Sequence, residues 1–468
     1  MKKLLALLLT FVLLATALVG CGNNYNPPDN NPAQPPSSSN GDSTTDGDET
    51  TDGEGTTDGD ETTGGDETTG GDEATDGDES TDGEGTNDGN ENTNGNSEVT
   101  YNQGLVFELS DDKSSYYLSS VGTCRDSEVI IPAEYNNLPV TAIAQNAFKN
   151  CTWITKVTIP ESVTIIYSDS FVNCPNVVEV QNGVTYIDKW LLKCDTSVEN
   201  VAIREDTVGI ASIAFYGCNK ITEIVIPDSV KYMYVGFRYC SSLKSVVLPN
   251  GLTEIRDEQF KECFTLESIT IPDSVKTIGE SAFYSCRSLK AITLPEGLTA
   301  IGQQAFNGCS SLVSIIIPDS VTSIGSYAFY HCSALKTVKL SNSLTSIEKR
   351  TFYYCFALET INIPDGLTSI GEQAFACCGN NFEIVIPDSV TSIGEAVFFG
   401  SSASSISLGK GITSIPASLF NGSKKLRNIY FYGTLAEWKN LEKGTNWNKD
   451  VIGCMVVCND GNISISSN

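Results

Sequence analysis

One histidine, His331, is the whole imidazole content of this 468-residue chain. Ser-His-Asp and Cys-His nucleophile arrangements and His-ligated metal centres each need a placed imidazole, so those chemistries have one position at most to stand on. Basic residues are absent from a long opening stretch: after Lys2 and Lys3, no Lys or Arg occurs until Lys113. No basic stripe is available to neutralise phosphates, which excludes a nucleic-acid footprint. Apolar runs of the eighteen or more residues needed to span a bilayer are also missing. The chain has no G-x-S-x-G elbow, no H-E-x-x-H, no P-loop and no dinucleotide fingerprint. No enzyme class is therefore expected, and no cofactor or metal.

The net charge of −29 is unevenly placed. Residues 22–97 hold 21 of the 58 acids and no base. The rest, from Glu98 onward, holds 37 acids against 27 bases and is only mildly acidic.

The first twenty residues read as an export signal. Met1-Lys2-Lys3 is a short positive region, and Leu4 to Leu18 is apolar except for Thr10 and Thr16. That run is short for a membrane span and has no stop-transfer flank. It ends in Leu18-Val19-Gly20-Cys21, which resembles the bacterial lipobox. The resemblance implies cleavage before Cys21 and lipid attachment at its sulfur. The protein is thus expected to be exported, anchored to the cell membrane through lipid and exposed at the cell surface. Two acyl chains make such an anchor stable, at about 0.8 kcal/mol per buried CH2.

Residues 21–98 combine the lipidated Cys with an acidic spacer. From Asp42 it repeats variants of Thr-Asp-Gly-Asp-Glu-Thr, with Ala74 nearly its only apolar residue. Such a composition cannot bury enough apolar surface to offset chain entropy, so disorder is expected. Its relaxed span is on the order of 50 Å and its contour limit about 250 Å. Asp46-Gly47-Asp48 lacks the spacing of a calcium loop closed by a bidentate Glu.

From about residue 100 the chain repeats itself. Leu266 to Cys286 reads LESITIPDSVKTIGESAFYSC, and Leu289 to Cys309 reads LKAITLPEGLTAIGQQAFNGC. The period of 23 residues recurs in LVSIIIPDSVTSIGSYAFYHC and LKTVKLSNSLTSIEKRTFYYC. One marker column runs through Phe148, Phe171, Leu191, Phe215 and Phe237, then on at about the same interval to Phe420. It counts about 13 coils. Within a coil, Ile292 and Leu294 alternate with Ala291 and Thr293, the period of a strand with one buried face. Pro295 ends that strand because it offers no N–H to a ladder. Leu298 and Ile301 point inward, Gly302 is expected to supply permissive backbone at a corner, and Ala305-Phe306 begins a tight turn. One coil cannot bury its own apolar face, so coils must stack.

These residues resemble the BspA-type leucine-rich repeat, through the motif [IVL]-P-[DE]-[SG]-[VL]-T-x-I-G-x-x-A-F-x-x-C, over about residues 100–461. The resemblance implies a mainly-β repeat solenoid. It would be a right-handed superhelix of short strands and tight helical turns, with one parallel sheet and a cap at each end. The expected parts are an opening segment at 99–147, repeats at 148–427 and a closing module at 428–468. Ile131-Pro132 and Leu138-Pro139-Val140 carry the match at the front. Gly433-Thr434-Leu435-Ala436-Glu437-Trp438 and Cys458-Asn459-Asp460-Gly461 carry it at the end. Val180 to Tyr186 lacks the Ile-Pro step, so the ridge is expected to kink or shift register there, as an eroded repeat.

Eleven cysteines fall in one column, from Cys151, Cys174, Cys194 and Cys218 to Cys378. Neighbouring strands bring such residues near disulfide distance, yet equal spacings favour no pairing. Buried reduced thiols acting as small hydrophobes are expected. Cys454 and Cys458 are a separate possible pair.

The candidate binding face is the outward side of the strands. One column holds Ser268, Ala291, Ser314, Thr337 and Thr360; its companion holds Thr270, Thr293, Ile316, Lys339, Asn362 and Val385. The position before reads Lys244, Glu267, Lys290, Val313, Lys336, Glu359, where opposite charges on adjacent strands should pair. Thr299, Thr322, Thr345, Thr368, Thr391 and Thr413 form a ladder expected to be structural. His331 reads as a tolerated surface residue. The resemblance implies an adhesin-like monomer that binds extracellular protein or neighbouring cells. An alternative is glycan capture, using the Ser/Thr face and the tail aromatics Trp438 and Trp447.

Overall fold

The computed structural model describes residues 101–234, 236–379 and 382–465. The export signal, Cys21 and the acidic spacer lie outside the described residues. What is described is a stack of short strands and turns with one helix, Leu435–Asn440.

Two parallel ladders run along the stack where one was expected. In the first, Ser314–Ile316, Thr337–Lys339 and Thr360–Asn362 pair in register, one coil to the next. In the second, Glu254–Ile255, Thr277–Ile278, Ala300–Ile301 and Ser323–Ile324 do the same. A two-residue strand is too short for period-2 alternation to reveal it. The Pro between the ladders turns the chain: the carbonyls of Pro272, Pro295 and Pro318 accept the amides of Val275, Leu298 and Val321 at 3.0–3.1 Å.

The segment carrying the marker Phe is a turn, not a helix. Its alternate amides bond to the following coil: Gln304 to Ser326 at 3.0 Å, Phe306 to Ala328 at 2.8 Å and Gly308 to Tyr330 at 2.8 Å. To aim amides this way the backbone alternates hand, and non-Gly residues enter the left-handed region. Gln304, Tyr327 and Arg350 have φ of 55°, 60° and 54°, and His331 and Tyr354 have 59° and 63°. Gly302 is not among the left-handed residues. A Cβ there would lie 2.6 Å from the carbonyl carbon of Gly279 and 2.7 Å from the amide of Glu280. Its smallness lets two coils touch, so it serves close approach instead of backbone freedom.

The solenoid has about 15 turns instead of 13. The additional turns lie beyond the marker column. Val121 donates to Ala147 as Phe148 donates to Ser170, and Cys124 then stands where Cys151 stands in the next coil. At the other end, Asn448 and Val451 repeat the hydrogen bonding of Phe420 and Ser423. Neither end carries the marker ring, so the column undercounted. The ends also leave the parallel pattern. Val106–Leu109 pairs antiparallel with Tyr116–Ser120, and Cys454–Cys458 with Gly461–Ile465. The helix begins in a capping box formed by Thr434 and Glu437.

The irregular third coil is an antiparallel meander. Glu179–Gln181 pairs with Val184–Ile187, which pairs with Trp190–Cys194. Asn182 and Gly183, with φ of 51° and 78°, make the first turn, an Asn-Gly hairpin signal. The meander corrects two column assignments. Leu191 is not the marker residue; it sits in the second ladder opposite Ile210. Cys194 takes the marker place, donating to Ala214 as Phe215 donates to Gly236, and so it leaves the cysteine column. The irregular spacings of 20 and 24 residues around Leu191 are the trace of this insertion.

The meander also divides the core. Val184, Tyr186, Leu191 and Cys194 belong to the large core of the later coils. Ile187, Trp190 and Leu192 belong to a smaller core that begins at Leu118. Adjacent residues of one strand face opposite ways, so Leu191 and Leu192 line different cores.

Candidate functional site

Inside the large core the marker rings form a stack. From Phe237 to Phe375, successive centroids lie 5.3–5.6 Å apart with planes within 9° of parallel. Beside them, the column thiols from Cys240 to Cys378 donate to the carbonyl of the marker residue one coil earlier. Cys286, Cys309 and Cys332 reach Phe260, Phe283 and Phe306 at 3.2 Å, and Cys378 reaches Phe352 at 2.9 Å. Ser423 does the same with its hydroxyl toward Phe398 at 2.6 Å. The column is thus a hydrogen-bonded seam of free, buried thiols. Burial holds them protonated: it pushes Cys332 up to about 12 and Cys286 and Cys309 well above the ordinary thiol range. Cys454 and Cys458 are free as well. Among the described residues, no three His, Cys, Asp or Glu side chains are grouped to hold a metal ion.

The outward columns form a surface. All ten candidate residues, Ser268, Thr270, Thr293, Ser314, Ile316, Thr337, Lys339, Thr360, Asn362 and Val385, are exposed. Alternation along the strands sends Ile315, Val338 and Ile384 inward at 2 % exposure and leaves Ile316 at 63 % and Val385 at 53 %. The apolar outward column extends to Val225 and Val247, at 61 % and 55 %, which the repeat text around Ser268 did not single out. Asn362 is partly committed to the ladder, since its Oδ1 accepts the amide of Leu340 at 2.7 Å.

The charged column pairs between coils. Lys290 meets Glu267 at 2.9 Å and Lys336 meets Glu359 at 3.2 Å, and the Lys290 ammonium holds the Glu267 carboxyl below its ordinary range. These are exposed contacts, weakened by solvent screening. The threonine column is structural too: Thr299 and Thr368 donate to the carbonyls of Lys276 and Thr345 at 2.9 Å.

Two other sets of aromatic residues stand differently from the sequence reading. Trp438 and Trp447 are 2 % and 6 % exposed and pack with Phe431 and Phe420 in the core, so they cannot offer ring faces to a glycan. His331 is exposed but not isolated. It lies edge-on to Tyr354 and Phe356, with centroids 5.6 and 6.2 Å away. Tyr330 stacks on Tyr353 at 5.3 Å, and the Arg350 guanidinium lies 5.6 Å from the rings of Tyr327 and Tyr353. The signal was present in the two positions after the marker Phe, which read Tyr-His and Tyr-Tyr in successive coils.

A search of curated proteins finds no match. Among solved structures, a leucine-rich repeat protein from Bacteroides ovatus is 25 % identical, with 75 % of this chain and 99 % of that one covered and a TM-score of 0.47. A leucine rich cell surface protein from Faecalibacterium prausnitzii is also 25 % identical, over 73 % and 97 %, with a TM-score of 0.31. The pneumococcal vaccine antigen PcpA is 19 % identical over 78 % and 99 %, with a TM-score of 0.38. The BspA type leucine rich repeat region matches residues 126–236, 234–359 and 345–441. With those three matches spanning most of the described coils, the chain belongs to the BspA-type leucine-rich repeat family.

Proposed function

We propose that this protein is an exported surface lipoprotein whose solenoid binds extracellular protein or neighbouring cells. The observation that carries this reading is the outward face of the first ladder, where small polar side chains are interrupted by exposed Ile316 and Val385. No catalytic constellation competes with it among the described residues. Repeated, weakly charged contacts along a ladder suit a large ligand bound by area. The Leu18-Val19-Gly20-Cys21 sequence would supply the anchor and the acidic spacer the reach. The folded unit acts as a monomer, without nucleic acid and without a cofactor.

The test is adhesion of the purified chain to immobilised extracellular matrix proteins, with an Ile316→Glu/Lys339→Glu variant beside it. Saturable binding lost by at least about tenfold in the variant supports the reading. Equal binding by both proteins overturns the assigned face. Labelling with radioactive fatty acid, abolished by Cys21→Ala, tests the anchor separately.

A second reading, glycan capture, draws on one observation: Tyr330, His331, Tyr353, Tyr354 and Phe356 gather on the surface. Glycan-array binding abolished by Tyr354→Ala would favour it over protein adhesion.

A further inference from the structure

The first ladder is interrupted. Glu128–Ile130 and Lys156–Thr158 pair with each other alone, and the ladder resumes only at Glu223–Val225. Between them, Glu179–Gln181 has peeled away into the meander. Residues 200–203, which the repeat would place beside Glu223–Val225, form no strand.

Glu223–Val225 therefore has one paired edge and one open edge. On the paired side the Thr222 carbonyl accepts the Lys244 amide at 2.8 Å, and the Ile226 amide donates to the Val247 carbonyl at 2.9 Å. Groups of even-numbered residues face that neighbour, so strand alternation aims the amides and carbonyls of Glu223 and Val225 the other way. In later coils the corresponding groups are joined to the coil before, as the Thr360 amide donates to the Lys336 carbonyl at 3.0 Å and the Lys339 carbonyl accepts the Ile317 amide at 2.8 Å. Here a cleft of about 400 Å³ opens instead, lined by Val201, Ala202, Ile203, Glu205, Glu223 and Val225.

We propose that this cleft takes an extended, basic segment of another polypeptide, added as a strand along the edge of Glu223–Val225. The proposal rests on the reading of the solenoid as a contact surface and gives it a definite docking place. A row of unpaired main-chain donors and acceptors at strand spacing is complementary to another extended backbone. Val225 stands exposed at the edge to pack against an apolar side chain of the incoming strand. Glu205 and Glu223 are exposed carboxylates; they favour Lys or Arg on the incoming segment and repel a second copy of this acidic chain.

The probe is a fluorescent capped peptide, Lys-Thr-Val-Thr-Val-Lys, titrated against the full chain by anisotropy. Its twin carries N-methyl groups on alternate residues, which removes the donors of one edge. Saturable binding of the peptide, weakened about tenfold or more in the twin, is the expected result. Val225→Pro, which deletes an amide aimed into the cleft, should weaken binding by a similar factor. Glu223→Lys leaves the backbone unchanged and should weaken it several-fold, so the test survives misfolding of the proline variant. Ile452→Ala, at an exposed residue near the far end of the coils, should change nothing. Equal binding of peptide and twin, no saturable binding up to about 1 mM, or an unchanged Glu223→Lys variant would each overturn the proposal. Adhesion to matrix proteins that persists while the peptide fails to bind would remove this edge site alone and leave the surface reading standing.

Discussion

Raising the pH from 8 to 10 should destabilise this protein far more than a cysteine-poor solenoid, because its core holds a row of protonated thiols. Cys263, Cys286, Cys309, Cys332 and Cys355 are 0 % exposed, and burial pushes the ionisation of each to higher pH. In an unfolded chain a thiol ionises near 8.5. Below that pH both states keep the proton and stability is indifferent to it. Above it the unfolded chain releases protons that the fold retains, so stability falls until the folded value is reached, about 12 for Cys332. Between pH 8 and 10 each such thiol costs about 2 kcal/mol, and the five together about 10 kcal/mol. The assay is urea unfolding followed by far-UV circular dichroism at pH 8, 9 and 10, under anaerobic reducing conditions. A Cys286→Ala/Cys309→Ala variant starts less stable but should lose about 4 kcal/mol less across the same interval. Equal pH slopes in the two proteins would refute the buried-thiol seam, as would rapid reaction of the native column with a thiol reagent at pH 8.

Two substitutions test the packing. Phe306→Ala removes a ring stacked between Phe283 and Phe329 and should cost about 3–5 kcal/mol, whereas Lys290→Ala should cost under about 1 kcal/mol; similar midpoints in denaturant would overturn the inside and outside assignment. Gly302→Ala places a Cβ against the Gly279 and Glu280 backbone and should lower stability by about 1–3 kcal/mol. Gly251→Ala, with nothing within 4 Å and no left-handed φ, should instead raise it by about 0.4–1 kcal/mol; thermal melting separates the two.

Much of the architecture was legible because a repeat states its core many times. Ile292, Leu294, Leu298, Ile301 and Phe306 are buried as the periodicity required, and every outward residue from Ser268 to Val385 named for the binding face is exposed. Those features depend on local alternation and a fixed period. The cysteine seam was half legible: burial followed from the column, but the bonds from thiol to Phe carbonyl depend on how far one coil sits behind the next.

What the sequence by itself determined is the period, the buried face and the inside-out polarity of each rung, since each depends on side chains within one or two coils. What only the tertiary structure decided is where the repeat fails and what that failure does. The meander at 179–194 turns two faces of one strand toward two cores, and the tail tryptophans go inward against Phe420 and Phe431. His331 gains aromatic neighbours from the next coil, and Glu223–Val225 keeps a free edge because the preceding coil does not pair with it. Each of these is set by a contact between residues distant in sequence, or by its absence, and no local pattern encodes it.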